Sequence, residues 1–191
     1  MCLKTNFRGY HGTDKSHFDS LDKDKEFSSQ TLPCDLGNGL YFFIDRVNKT
    51  GEAIENAKKY LSRWKPKYKN KIIVEMELDL EQDKVLDLDD QVNQDIFNLF
   101  IDENEEDIYN ELDHLIENNT KNRGNIDGLV LEIMIRAYDI DVKAIMKETY
   151  TQFDMSKQRK RSNIPNGKEL CLREYSVIKK KVFVKNYGNI I

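Results

Sequence analysis

The chain has 191 residues, of which 39% are hydrophobic and 34% charged, with a net charge of −4. That length can bury a sizeable core and reads as a single domain over residues 1–191 with a heavily charged surface. The weak negative charge gives no global pull towards nucleic acid or an anionic membrane. Three scattered cysteines (Cys2, Cys34, Cys171) form no CxxC pair and no Cys/His cluster, so neither a zinc site nor a disulfide framework is expected. No signal-peptide pattern opens the chain and no transmembrane-length apolar run occurs, so a cytoplasmic protein without a membrane partner is expected.

Taken in order, Phe7–Gly12 predicts a short strand and Ser16–Leu21 one or two helical turns. A polar loop with Pro33 then covers Asp22–Asp35. Gly37-Asn38-Gly39 is a turn that runs into an apolar strand, Leu40-Tyr41-Phe42-Phe43. Glu52–Trp64 predicts a helix, with Ala53, Ala57, Tyr60, Leu61 and Trp64 at three- and four-residue steps, closed by Lys65-Pro66. The strand signal is clearest at Ile72, Val74, Met76, Leu78 and Leu80, which alternate with Glu75, Glu77 and Asp79.

Asp89 is a candidate N-cap for a helix carrying Val92, Ile96, Phe97 and Phe100. A second helix carries Ile108, Leu112, Leu115 and Ile116, with the acidic run Asp102–Asp107 between the two. Its charge suits the second helix's first turn. Ile126, Leu129, Val130, Ile133 and Ala137 fit a further helix, so residues 89–137 read as a helical insert. Val142–Tyr150 returns to strand, and Thr151–Lys168 is a long basic loop. Glu169–Tyr175 and Lys179–Lys185 are two strands joined tightly at Ser176-Val177.

Three segments carry candidate chemistry. His11 adjoins Gly12, whose backbone can be approached closely, and the Thr13 hydroxyl, and it reads equally as a strand histidine that satisfies a neighbouring carbonyl. His17 lies in a polar segment and His114 on the acidic helix, and neither adjoins a glycine–hydroxyl element. Tyr41 sets an aromatic ring just after a glycine-rich turn, an arrangement suited to a planar ligand and equally to a buried strand. On the last segment, Leu170 and Leu172 share one face, so Glu169 and Arg173 point to the other. By itself Glu169 is an exposed strand-end glutamate; beside the other two segments it is a candidate active-site carboxylate.

Tyr10-His11-Gly12-Thr13, Gly37-Asn38-Gly39-Leu40-Tyr41-Phe42 and Glu169-Leu170-Cys171-Leu172-Arg173-Glu174, in that order, resemble the His–Tyr–Glu class of ADP-ribosyltransferases, which includes diphtheria toxin and the poly(ADP-ribose) polymerases. The layout is similar to small bacterial members, some of them toxins of toxin–antitoxin or phage-defence systems. The resemblance implies an α+β fold with two small antiparallel sheets forming an NAD cleft, flanking helices and the helical insert.

It also implies roles. His11 would bind the nicotinamide-side ribose, Gly12 the carboxamide through its backbone, and Thr13 would assist. Tyr41 would stack on the nicotinamide, with Tyr60 as the second aromatic, and Glu169 would bind the ribose and stabilise the transition state. Tyr10, Gly39 and Leu40 belong to the same cofactor-binding motifs. NAD is the implied co-substrate, and no metal is required.

The acceptor would be nucleic acid or protein, met by the basic loop residues Lys157, Arg159, Lys160 and Arg161, which read equally as a solvated loop. Mono-ADP-ribosylation is the expectation for so small a chain, and an antitoxin protein is a further partner the resemblance allows. Two rivals stay open: an NAD glycohydrolase with water as acceptor, and a non-enzymatic module that binds through residues 157–161.

Overall fold

The computed structural model describes residues 4–23, 32–117, 126–154, 156 and 162–184. It is an α+β fold. Its strands are β1 (Lys4–Asp14), β2 (Leu40–Ile44), β3 (Lys71–Glu81), β4 (Val85–Asp87), β5 (Ala144–Thr149), β6 (Gly167–Leu172) and β7 (Ile178–Phe183). Its α-helices are α1 (Glu52–Trp64), α2 (Gln91–Glu103), α3 (Glu105–Glu117) and α4 (Ile126–Ala137). A 3-10 turn, Lys15–Ser20, follows β1 where the helical turns were expected.

The strands make one mixed sheet in the order β4-β5-β6-β2-β1-β3-β7, which corrects the expected pair of antiparallel sheets. β4 and β5 run parallel, and the other neighbours run antiparallel. The two expected halves are joined by a β1–β2 ladder of only two register pairs, Gly9↔Ile44 and Tyr10↔Phe43. The β1–β3 ladder, by contrast, is paired along the whole of Lys4–Asp14.

β6 and β7 are close in sequence and do not pair. They run parallel and three strands lie between them. In a flat sheet they would be about 19 Å apart, at roughly 4.8 Å per strand step. Residues 173–177, partly wound into the 3-10 turn Tyr175–Val177, are too short to cover that distance and the length of a strand as well. The sheet therefore folds over, and the short β1–β2 ladder is where it opens.

The concave side of the fold holds the largest apolar cluster. Leu40, Phe42 and Ile44 of β2, Val74, Met76, Leu78 and Leu80 of β3, and Leu170 and Leu172 of β6 pack there. The alternation anticipated for β3 and β6 is thus obeyed. Ile73, on the other face of β3, packs with Ala53, Ala57 and Leu61 of α1.

Asp45 starts α1, its carboxylate accepting from the Gly51 and Ala53 amides at 2.9 and 2.8 Å. A third cluster docks the helical segment on the sheet through Phe100, Ile108, Val130, Leu131 and Met134, against Ile145 and Cys171. Cys171 is buried, and burial pushes its thiol pKa up.

Two expectations for α2 need correction. Asp90 is the N-cap, accepting from the Val92 and Asn93 amides. Asp89 instead accepts from the Glu148 amide at 2.9 Å and pairs with Lys168 at 2.7 Å. Val92 and Ile96 are 65% and 45% exposed, because α2 docks through its Phe97–Phe100–Ile101 side.

Asp14, at the end of β1, locks the following turn. It accepts from the Asn70 amide at 3.0 Å, the Ser16 amide at 3.0 Å and the Ser16 hydroxyl at 2.9 Å. These bonds, that from Asn70 foremost, hold its carboxyl down at about 2. A depressed carboxylate stabilises the fold above its unfolded value of ~4, and the contribution is lost as pH falls from there through about 2. Asp14→Asn is therefore expected to lower the thermal midpoint at neutral pH, and the gap to wild type should close as both are titrated towards pH ~2. A gap that does not depend on pH would contradict this assignment.

Candidate active site

The three segments singled out from the sequence lie on adjacent strands, β1, β2 and β6. His11 is half-buried on β1, and its Nδ1 lies 2.7 Å from the Tyr41 carbonyl oxygen. A carbonyl only accepts, so Nδ1 carries the proton, and in the neutral ring Nε2 is the acceptor. The ring also meets Phe42 edge-on at 6.1 Å. The Tyr41 carbonyl on β2 thus fixes the tautomer of His11 on β1.

Past Tyr10 the β1–β2 ladder ends, and a cleft of ≈ 370 Å³ begins beside His11, Gly12 and Thr13. Tyr60 also lines it. A side chain at Gly12 would put a Cβ 2.6 Å from Leu61 Cγ and 2.8 Å from the Ala57 carbonyl oxygen. Glycine is required there so that α1 can lie close on β1. Thr13 is buried, with Oγ1 3.4 Å from His17 Nδ1.

Glu169 is half-buried on β6 and directly opposite Phe43. With Leu170 and Leu172 in the core, its side chain takes the other face, as alternation required. Its Oε1 accepts from the Thr151 hydroxyl at 2.9 Å. Phe43 pairs in turn with Tyr10, so Glu169, Phe43 and Tyr10 form one row across three strands, about 10 Å long. Glu169 does not line the cleft. It is connected to it through Phe43, whose ring packs 6.2 Å from that of Tyr60.

The other motif residues are placed differently from expectation. The Tyr41 ring packs in the cluster beneath α2 and α4. Its hydroxyl donates to the Gly37 carbonyl and accepts from the Leu36 amide, both at 2.8 Å. Burial, above all, raises the pKa of this phenol. Tyr41 thereby closes the glycine turn on itself and does not border the cleft.

Gly39 has no room for a side chain between Cys171 Sγ and the Leu172 backbone, and Leu40 is a core residue. Tyr10 packs with the α1 cluster. The turn itself is docked on α4. Glu132 accepts from the Asn38 amide at 2.6 Å and pairs through both oxygens with Arg173. Lys157, Arg159, Lys160 and Arg161 lie outside the described residues.

Several residues near the site escaped the sequence reading. Thr151, which holds Glu169, is itself held by Asn166. The Asn166 side chain accepts from the Thr151 amide at 2.9 Å and donates to its carbonyl at 2.8 Å. Asn56 on α1 is buried and donates to the Asn166 carbonyl at 3.1 Å. A polar residue among Ala53, Ile54 and Ala57 on the inward face of a helix was the available signal, since buried polar groups need partners. His17 lines the cleft although its polar surroundings in the sequence had set it aside.

No helix among the described residues is long and apolar enough to cross a membrane. Comparison with protein-family models, curated proteins and solved structures gives no match.

Proposed function

We propose that this chain is a mono-ADP-ribosyltransferase that moves ADP-ribose from NAD to a macromolecular acceptor, nucleic acid or protein, as a bacterial toxin or phage-defence effector. The observation that carries the reading is the meeting of three remote segments on β1, β2 and β6, beside the place where the sheet opens. Sequence order alone does not require that meeting.

The chemistry fits the groups present. The bond from ribose C1 to the nicotinamide nitrogen breaks, and its electron pair leaves with neutral nicotinamide. Positive charge builds on the ribose in an oxocarbenium-like state, as in glycoside hydrolysis. A carboxylate fixed at Glu169 favours that state over the ground state. The acceptor's oxygen or nitrogen then bonds to C1 and gives up its proton to solvent. His11, with Nε2 as acceptor, receives a ribose hydroxyl, and Gly12 and Tyr60 border the nicotinamide.

Thr151 acts through Glu169 and is a positioning residue. Thr151→Val is expected to lower kcat about tenfold, the loss of one hydrogen bond to a charged group, with KM unchanged. Thr151→Ser should restore the rate. An unchanged kcat in Thr151→Val would contradict this role.

The reading is tested by incubating the protein with NAD labelled in the adenylate and a cell lysate, then separating protein from nucleic acid. Label in either fraction is the expected result and names the acceptor class. Nicotinamide release without transferred label would replace the transferase by a glycohydrolase. No turnover in lysates from several sources would overturn the enzymatic reading.

A further inference from the structure

We propose that the outer end of the cleft is an anion site that takes the diphosphate of a dinucleotide or nucleoside diphosphate, with Lys65 as its cation and His17 as its second donor. The NAD part of this inference rests on the function proposed above; the anion site does not.

The two ends of the cleft differ in chemistry. The inner end, at His11, Gly12 and Tyr60, is near the Glu169 row and offers a ring and backbone. The outer end is traced by contacts, from Lys65 to Tyr68, Tyr68 to His17 and His17 to Thr13, with Ser20 also lining the cleft. Lys65 follows α1 directly, and its ammonium lies 5.6 Å from the Tyr68 ring centroid. Among the described residues it pairs with no carboxylate. It is the one lysine among the residues that line the cleft.

His17 packs edge-on against the same Tyr68 ring, at 5.5 Å and 77°. Its Nδ1 faces Thr13 Oγ1, and its carbonyl accepts from the Ser20 hydroxyl. A continuous wall therefore runs from the ammonium of Lys65 over Tyr68 and His17 to Thr13, next to Gly12. The acid adjoining this wall in sequence, Asp14, is engaged by Asn70 and Ser16. An uncompensated ammonium on a partly enclosed wall favours a compact anion, and a lysine serves phosphate as a point charge. A ligand with a flat ring at one end and phosphates a few bonds away has the polarity of this cleft.

The test is calorimetric titration of the full chain with ADP, nicotinamide and NAD, for the wild type, Lys65→Met, His17→Gln and Lys65→Arg. The wild type is expected to bind ADP, and more weakly as salt rises. Lys65→Met should weaken ADP and NAD about tenfold, the loss of one charge-assisted contact, and leave nicotinamide binding unchanged. Lys65→Arg should keep most of the affinity, and His17→Gln should weaken ADP in the same direction.

ADP binding that ignores both Lys65→Met and salt, or a wild type that binds nicotinamide but not ADP, would overturn the anion site. ADP binding that depends on Lys65, with no binding of nicotinamide or NAD, would support the anion site and remove the NAD reading instead. The salt dependence of the wild type decides the matter even if a variant fails to fold.

Discussion

Glu169→Gln is expected to lower ADP-ribosyl transfer by about 10²–10³-fold, the range seen when one preorganised electrostatic stabiliser is removed from an active site. Glutamine keeps the size and one oxygen, so the Thr151 hydroxyl still has an acceptor. What disappears is the negative charge, which matters most when the ribose becomes cationic. The effect should therefore fall on kcat, with KM for NAD nearly unchanged. The thermal midpoint should stay within about 2 °C of wild type, because the side chain is half-buried outside the main apolar cluster and such replacements cost about 0.5 kcal/mol or less. A variant that keeps more than about a tenth of the wild-type rate would remove Glu169 from the mechanism. A variant that unfolds would show that the carboxylate is structural.

Three residues along the same strand, the opposite result is expected. Leu172 is fully buried, and its neighbours in register are Leu40 on β2 and Ala144 on β5. Leu172→Ala leaves a cavity in the cluster that unites both halves of the folded sheet. A change of this kind costs about 2–5 kcal/mol, or a fall in thermal midpoint of about 4–20 °C for a chain of this size. Activity per folded molecule at low temperature should be close to wild type. An unchanged midpoint would mean that β6 is turned over. That outcome would also put Glu169 in the core and undo the site.

Such a contrast between neighbouring residues was legible in the sequence because it needs only period-two alternation. The same holds for β3, where Val74, Met76, Leu78 and Leu80 enter the core as the pattern required. The helix α1 spans Glu52–Trp64 as anticipated, since Ala53, Ala57 and Leu61 repeat at helical spacing and Pro66 follows. These are local signals.

What the sequence did not convey depends on long-range pairing. Nothing in Gly9-Tyr10 or Phe43-Ile44 indicates that two register pairs would join two half-sheets into one. Nor does the short link at Ser176-Val177 distinguish a hairpin from a connection over a folded sheet. Asp89 and Asp90 are equivalent as caps until tertiary contacts with Glu148 and Lys168 claim the first of them.

Tyr41 shows the same limit at the site. Its place after a glycine turn suited a ligand or a buried strand equally, and its surroundings were set by the docking of the Gly37–Gly39 turn on α4 through Glu132 and Arg173. The cleft-lining role of His17 likewise depends on Tyr68, fifty residues away, coming back to meet it. Alternation tells which way a residue points; only the assembled fold tells what it meets.

The central claim is that NAD occupies the opening between β1 and β2 and extends to Glu169, and hydrogen–deuterium exchange with and without NAD tests it most directly, on Glu169→Gln so that the ligand is not consumed. Slower exchange is predicted at His11–Asp14, at the end of α1 through Tyr68, and at Thr151 and Glu169, with β7 and α2 unchanged. Protection confined to other segments, or none at saturating NAD, would contradict the claim.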